Sequence, residues 1–167
     1  MALSTEETVR QALVEAIEAI AVSGLGFDQA GGNVKEYPLD LEAKEDVPDY
    51  LTALVGGEPV VRCWSVFVTA SEDWLAEDGV GIRRYTVKFE AYYEVETAGA
   101  GANLIVEHAR KVRGAIRSLG SMLGGRVDTM APISEVQISR LSGVEPSDGQ
   151  ILVATFGFTA ERRNPDF

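Results

Sequence analysis

The stretch RRYTVKFEAYYEVE, residues 83–96, alternates almost without error. On an extended chain Tyr85, Val87, Phe89, Ala91, Tyr93 and Val95 fall on one face, while Arg84, Thr86, Lys88, Glu90, Tyr92, Glu94 and Glu96 fall on the other. A period of two excludes an amphipathic helix and predicts a strand with one buried face. At fourteen residues it is more than twice the usual strand length of about 5–6. Its partner lies just upstream. VVRCWSVFVT, residues 60–69, has the β-branched and aromatic content of a strand, and the acidic connection Ser71–Gly81 joins the two as a hairpin with an extended tip.

Helical spacing appears on both sides of this pair. Ser4-Thr5-Glu6-Glu7 reads as a capping box, and Val9, Leu13, Ile17 and Ile20 follow with Ala12, Ala16 and Ala19 beside them, predicting a helix that ends near Gly24. After the long strand, TAGAGAN (97–103) reads as a turn with Asn103 as cap. Ile105, Ala109, Val112, Ile116 and Leu119 then form the apolar stripe of a second helix, with Glu107, Arg110, Lys111 and Arg113 exposed. Two more strands are expected, Ile133–Leu141 and Gln150–Glu161, joined by the turn residues GVEPSDGQ.

Residues 24–58 are the least regular part, punctuated by Gly24, Gly26, Gly31, Gly32, Pro38, Pro48, Gly56 and Gly57. A short strand is expected around Val34–Leu39 and a helical turn around Asp49–Val55. A segment of this kind is either functional or a solvated excursion. The order predicts one α+β domain over residues 1–167, with an antiparallel or mixed sheet of about four to five strands packed against two helices, a long irregular loop and a projecting β-hairpin.

Composition narrows the function. The formal charge is −11, from 15 Lys and Arg against 26 Asp and Glu, which argues against a general nucleic-acid binder. The apolar run Ala16–Val22 contains Glu18 and lacks a basic flank, so it is neither signal peptide nor membrane span. One cysteine, Cys63, leaves no intrachain disulfide to form.

The catalytic inventory is thin. His108 alone could serve a nucleophilic triad, and its place beside an apolar stripe favours packing. Cys63 lies within a strand beside Trp64, where a small buried hydrophobe is the ordinary reading, and Arg62 should point to the opposite face. One Cys and one His make zinc improbable. The acidic runs DLEAKED (40–46) and SEDWLAEDG (71–79) lack the ligand alternation of a calcium loop. No phosphate-binding loop is present. No catalytic residue, cofactor or metal is expected.

Surface work is the alternative. Trp74 and Leu75 sit in an acidic connection, Tyr92 lies between Glu90 and Glu94, and Arg83, Arg84 and Tyr50 complete a set of candidate assembly contacts. Trp74 either anchors an interface or folds back onto its own domain. The segment ERRNPDF at the C-terminus is either a docking tail or a loose end.

The whole layout resembles the tail terminator, or tail-to-head joining, proteins of long-tailed bacteriophages. The resemblance rests on the helix TVRQALVEAIEAI, the Gly- and Pro-rich loop, the strands VRCWSVFV and RRYTVKFEAYYEVE, the helix NLIVEHARKVRGAI and the closing strand ILVATFGFTAERR. It implies a homohexameric ring that caps the tail tube, ends its polymerisation and joins the head connector, with DNA passing through the lumen without specific binding. It implies assembly in the host cytoplasm, residence in the virion tail or neck, and no membrane. The partners implied are the chain itself, the tail tube protein and the connector or stopper protein. The alternatives are a neck or head-completion protein of the same particle, and a small-ligand-binding α+β domain or enzyme.

Overall fold

A computed structural model describes residues 5–36, 51–95, 98–120, 122–141 and 150–164. The first helix, α1 (Thr5–Ala19), opens with Glu6 and Glu7, whose charges suit the positive end of its dipole. Its apolar stripe buries Val9, Ala12, Leu13, Ala16 and Ile17. The helix stops at Ala19, earlier than the stripe suggests, and turns closed by Gly24 and Leu25 amides on the Ile20 carbonyl carry the chain to a buried Leu25 and Phe27. Ser4, the expected cap, lies outside the described residues.

Part of the irregular stretch is built into the sheet. β1 (Val34–Lys35) runs parallel to β3 (Glu58–Leu75), and β2 (Thr52–Val55) pairs antiparallel with its first residues. The expected helical turn around Asp49–Val55 is therefore corrected to a strand over 52–55. Gly56 and Gly57 both have positive φ (61° and 80°), the geometry of a tight two-residue hairpin turn. Both of their amides donate to the Asp28 carboxylate, at 2.9 and 2.8 Å.

Three long strands dominate: β3, β4 (Gly81–Val95) and β7 (Gln150–Asn164). With the short strands β5 (Thr129–Met130) and β6 (Gln137–Arg140) the described residues form a seven-stranded mixed sheet, in the order β1-β3-β4-β7-β5. β2 also pairs with β3, and β6 with β7. The count exceeds the expected four to five because β2 reads as a turn and the two-residue β5 leaves no periodicity to read, whereas β1 and β6 fall within the expected stretches Val34–Leu39 and Ile133–Leu141. ERRN belongs to β7, so the presumed tail is strand through Asn164. The turn residues 142–149 and the last three residues lie outside the described set.

The second helix, α2 (Ala98–Arg117), begins five residues before Asn103, so TAGAGAN is largely helix and Asn103 is no cap. Alanine favours the helix, and a side chain at Gly101 would collide with Val95, so the helix start packs directly on the end of β4. Ile105, Ala109, Val112 and Ile116 are buried against the sheet. A single turn, α3 (Met122–Gly125), follows with left-handed backbone at Met122 and Leu123 (φ 55° and 52°), a conformation costly for side chains with a Cβ. Leu123 is buried in the main core.

Both long helices cover one face of the sheet. There Phe89 stacks on Phe156 at 4.7 Å, and Trp64 meets Tyr93 and Phe156 edge-on. All six apolar-face residues from Tyr85 to Val95 are buried. The opposite face is not charged along its whole length. At one end Leu51, Cys63, Tyr92, Leu141, Ile151 and Val153 make a second, smaller core, and Glu90 is buried beside it.

Candidate assembly surface

The surface is built by what happens at the other end of the three long strands. Beyond Val68 on β3, Tyr85 on β4 and Ala160 on β7, no described side chain of those strands joins the core. The ladder nonetheless continues, pairing Trp74 with Ile82, Leu75 with Gly81 and Gly81 with Asn164. The connection between β3 and β4 is only residues 76–80, not the expected 71–81, because β3 extends to Leu75. The result is a three-stranded arm.

A bulge decides which way the arm's side chains point. Ala70 pairs with Tyr85, but Glu72 pairs with Arg84, so one residue of β3 is left over between them. An extra residue reverses the alternation downstream. Without it Trp74 would share the helix-covered face with Trp64, Val66 and Val68. With it Trp74 sits opposite Ile82 on the outer face, under the Arg84 guanidinium, which lies 5.1 Å from the ring centroid.

Charge pairs hold the arm where apolar packing stops. Arg83 grips Asp73 with two hydrogen bonds of 2.7 and 3.0 Å, and Arg84 grips Glu161 at 2.8 and 3.1 Å. Arg163 reaches Asp78 at 2.9 Å, while its amide donates to Asp128 at 2.7 Å. The Arg83 hydrogen bonds hold the Asp73 carboxyl below its ordinary range, and the Val80 amide followed by Arg163 does the same for Asp78. Among the described large apolar residues Leu75 is the most exposed, at 66%.

The predicted contacts divide accordingly. Trp74, Leu75, Arg83 and Arg84 all lie on the arm but not on one face: the register sets Trp74, half-buried, beside Arg84 and sets Leu75 with Arg83 on the other face, and both arginines are paired. Tyr92 is corrected: it is only 4% exposed, covered by Leu51 and Leu141, and cannot be a surface contact. Tyr50 lies outside the described residues. Asp73, Asp78, Glu161 and Arg163 were missed as arm-forming residues. Read alone they are ordinary surface charges, and only strand register shows which opposite charges face one another.

The two side chains richest in chemistry are committed to packing. Trp64 Nε1 donates to the Tyr93 hydroxyl at 3.0 Å, which lies 2.7 Å from His108 Nδ1. When Tyr93 donates to Nδ1, the neutral imidazole carries its own proton on Nε2. Burial, with Arg62 and Lys111 nearby, pushes His108 down to about 4. Burial pushes the Cys63 thiol up to about 12. Among the described residues no three His, Cys, Asp or Glu side chains are grouped so as to hold a metal ion, and no helix is long and apolar enough to cross a membrane. No protein-family model matches the sequence, and no curated protein matches it either.

Proposed function

We propose that this chain is a structural assembly subunit, a tail terminator of a long-tailed phage that closes into a hexameric ring at the end of the tail tube and meets the head connector in the virion neck. The observation that carries the reading is the arm: three strands prolonged past their own core, ending in an exposed Leu75 and a half-buried Trp74. A small domain gains little stability from such an extension, whereas an aromatic and an aliphatic side chain within a polar rim match the composition of protein interfaces. The resemblance of the whole layout to terminator proteins supplies the particular assembly.

Acidity suits a ring whose lumen passes DNA, since negative charge repels the phosphate backbone instead of holding it. His108 and Cys63, sequestered as they are, support a role carried by surfaces rather than by a reacting group. Light scattering after gel filtration, with negative-stain images, tests the proposal. Closed rings are expected at high concentration or on purified tail tubes. Trp74→Ala is expected to stay folded and fail to assemble. A strict monomer at every concentration, with no affinity for tail tubes, would overturn the reading.

A further inference from the structure

Cations on much of the described surface sit on carboxylates. Arg10, Arg83, Arg84, Lys88, Lys111 and Arg163 each have one at 2.7–3.3 Å. Arg110, Arg113 and Arg117 on α2 have none among the described residues, and Glu107, the acid one turn before Arg110, is taken by Lys111. Steps of three and four residues put the three arginines on one stripe of the helix, over roughly 10 Å of its axis. Like charges at that spacing repel, so the stripe costs the isolated domain stability. Arg117 has a local reason for its place, in the last turn at the negative end of the helix dipole. Arg113 donates to the Ile133 carbonyl at 3.3 Å and keeps a buried Nε with no acceptor among the described residues.

Beside Arg117 lies an apolar hollow of about 520 Å³, walled by Ile116 of α2, by Met130, Pro132 and Ile133 of the later segment, and by Met122. No acid lines it, and Glu135 on that segment borders a different hollow, with Lys88. Met122 and Leu123 both hold the left-handed backbone that glycine adopts without cost. Burial of Leu123 in the core offsets its strain, whereas Met122 stays 39% exposed at the mouth of the hollow. Unpaired arginines around an exposed methionine and aliphatic walls have the make-up of a protein interface. A nucleic-acid backbone would engage the arginines and leave the hollow empty. A protein segment with both carboxylates and an aliphatic side chain engages both, since the guanidinium takes a carboxylate in two parallel hydrogen bonds. This chain's own acidic surface beside Leu75 does not supply that segment, because Asp73 is held by Arg83 and Asp78 by Arg163.

We propose that this flank of α2 docks an acidic segment of a different protein, its carboxylates on Arg110, Arg113 and Arg117 and an aliphatic side chain in the hollow at Met122. The contact stands whether or not the chain closes into a ring. Fluorescence anisotropy on the full chain tests it, with three labelled probes: a peptide of repeated Glu-Glu-Leu, its Gln-Gln-Leu counterpart and a DNA duplex. The acidic peptide is expected to bind, less tightly as salt rises, and the Gln form to bind about tenfold more weakly or worse. Reversing charge at two exposed positions, Arg110→Glu with Arg117→Glu, is expected to lower affinity for the acidic peptide by about tenfold or more. Met122→Gly is expected to raise the unfolding midpoint, by relieving the left-handed backbone, and yet to weaken the peptide. A methionine of purely structural value would not separate the two. No binding of the acidic peptide, equal binding of the Gln form, tighter binding of the duplex, or unchanged affinity in either variant would overturn the proposal. So would wild-type self-association that the double charge reversal abolishes, since a second copy would then be what covers this face.

Discussion

The two ends of the same three strands differ in what covers them. At the helix-covered end β3, β4 and β7 are sealed by Phe89, Phe156, Trp64 and Tyr93, with a second small core behind. At the arm end the backbone ladder is equally continuous, but cross-strand charge pairs replace burial. Backbone pairing therefore does not depend on a core; stability does. Apolar burial supplies most of the favourable free energy of folding, whereas exposed ion pairs contribute about 0–1 kcal/mol and mainly fix geometry. An arm made this way is shaped without being sealed, and that is the state in which a partner can complete it.

The contrast can be broken first at the core. Phe89→Ala removes a fully buried ring stacked on Phe156 and is expected to cost about 3–5 kcal/mol in urea unfolding. A loss below about 1 kcal/mol would mean the sheet is not held from this face.

A pH titration sharpens the same end. His108 binds its proton less readily in the folded chain, at about 4 against an ordinary 6.5, so its contribution is complete above pH 6.5 and is lost as pH falls toward 4. The loss is expected to reach about 1–3 kcal/mol, and His108→Gln should flatten the profile over that interval. Identical acid slopes in the two proteins would remove the imidazole from the account.

The smallest effect belongs to the arm. Asp73→Asn breaks a charge pair that solvent already screens, so the unfolding midpoint should scarcely move, and less still in high salt. A large shift would show the arm to be part of the cooperative core.

Much of this architecture is legible in residue order. Helical stripes placed α1 and α2, and alternation over residues 83–96 placed β4 and its buried face, because both patterns are local and the backbone geometry imposes them. Short strands were legible only in part: β1 and β6 lie in stretches read as strands, but β2 reads as a turn until the Gly56–Gly57 hairpin folds it against β3 with Asp28 on the turn amides. Nor was the arm surface fully legible. Alternation assigns Tyr92 to a face, but only Leu51 and Leu141, distant in sequence, decide that this part of the face is covered. Trp74 and Leu75 could be named as candidates, yet the bulge between Ala70 and Glu72 decides where Trp74 points, since one unpaired residue inverts every side chain beyond it. Sequence by itself determined the long elements and their apolar faces. Tertiary structure alone decided which remaining faces are buried, because burial depends on segments that meet only when the chain has folded.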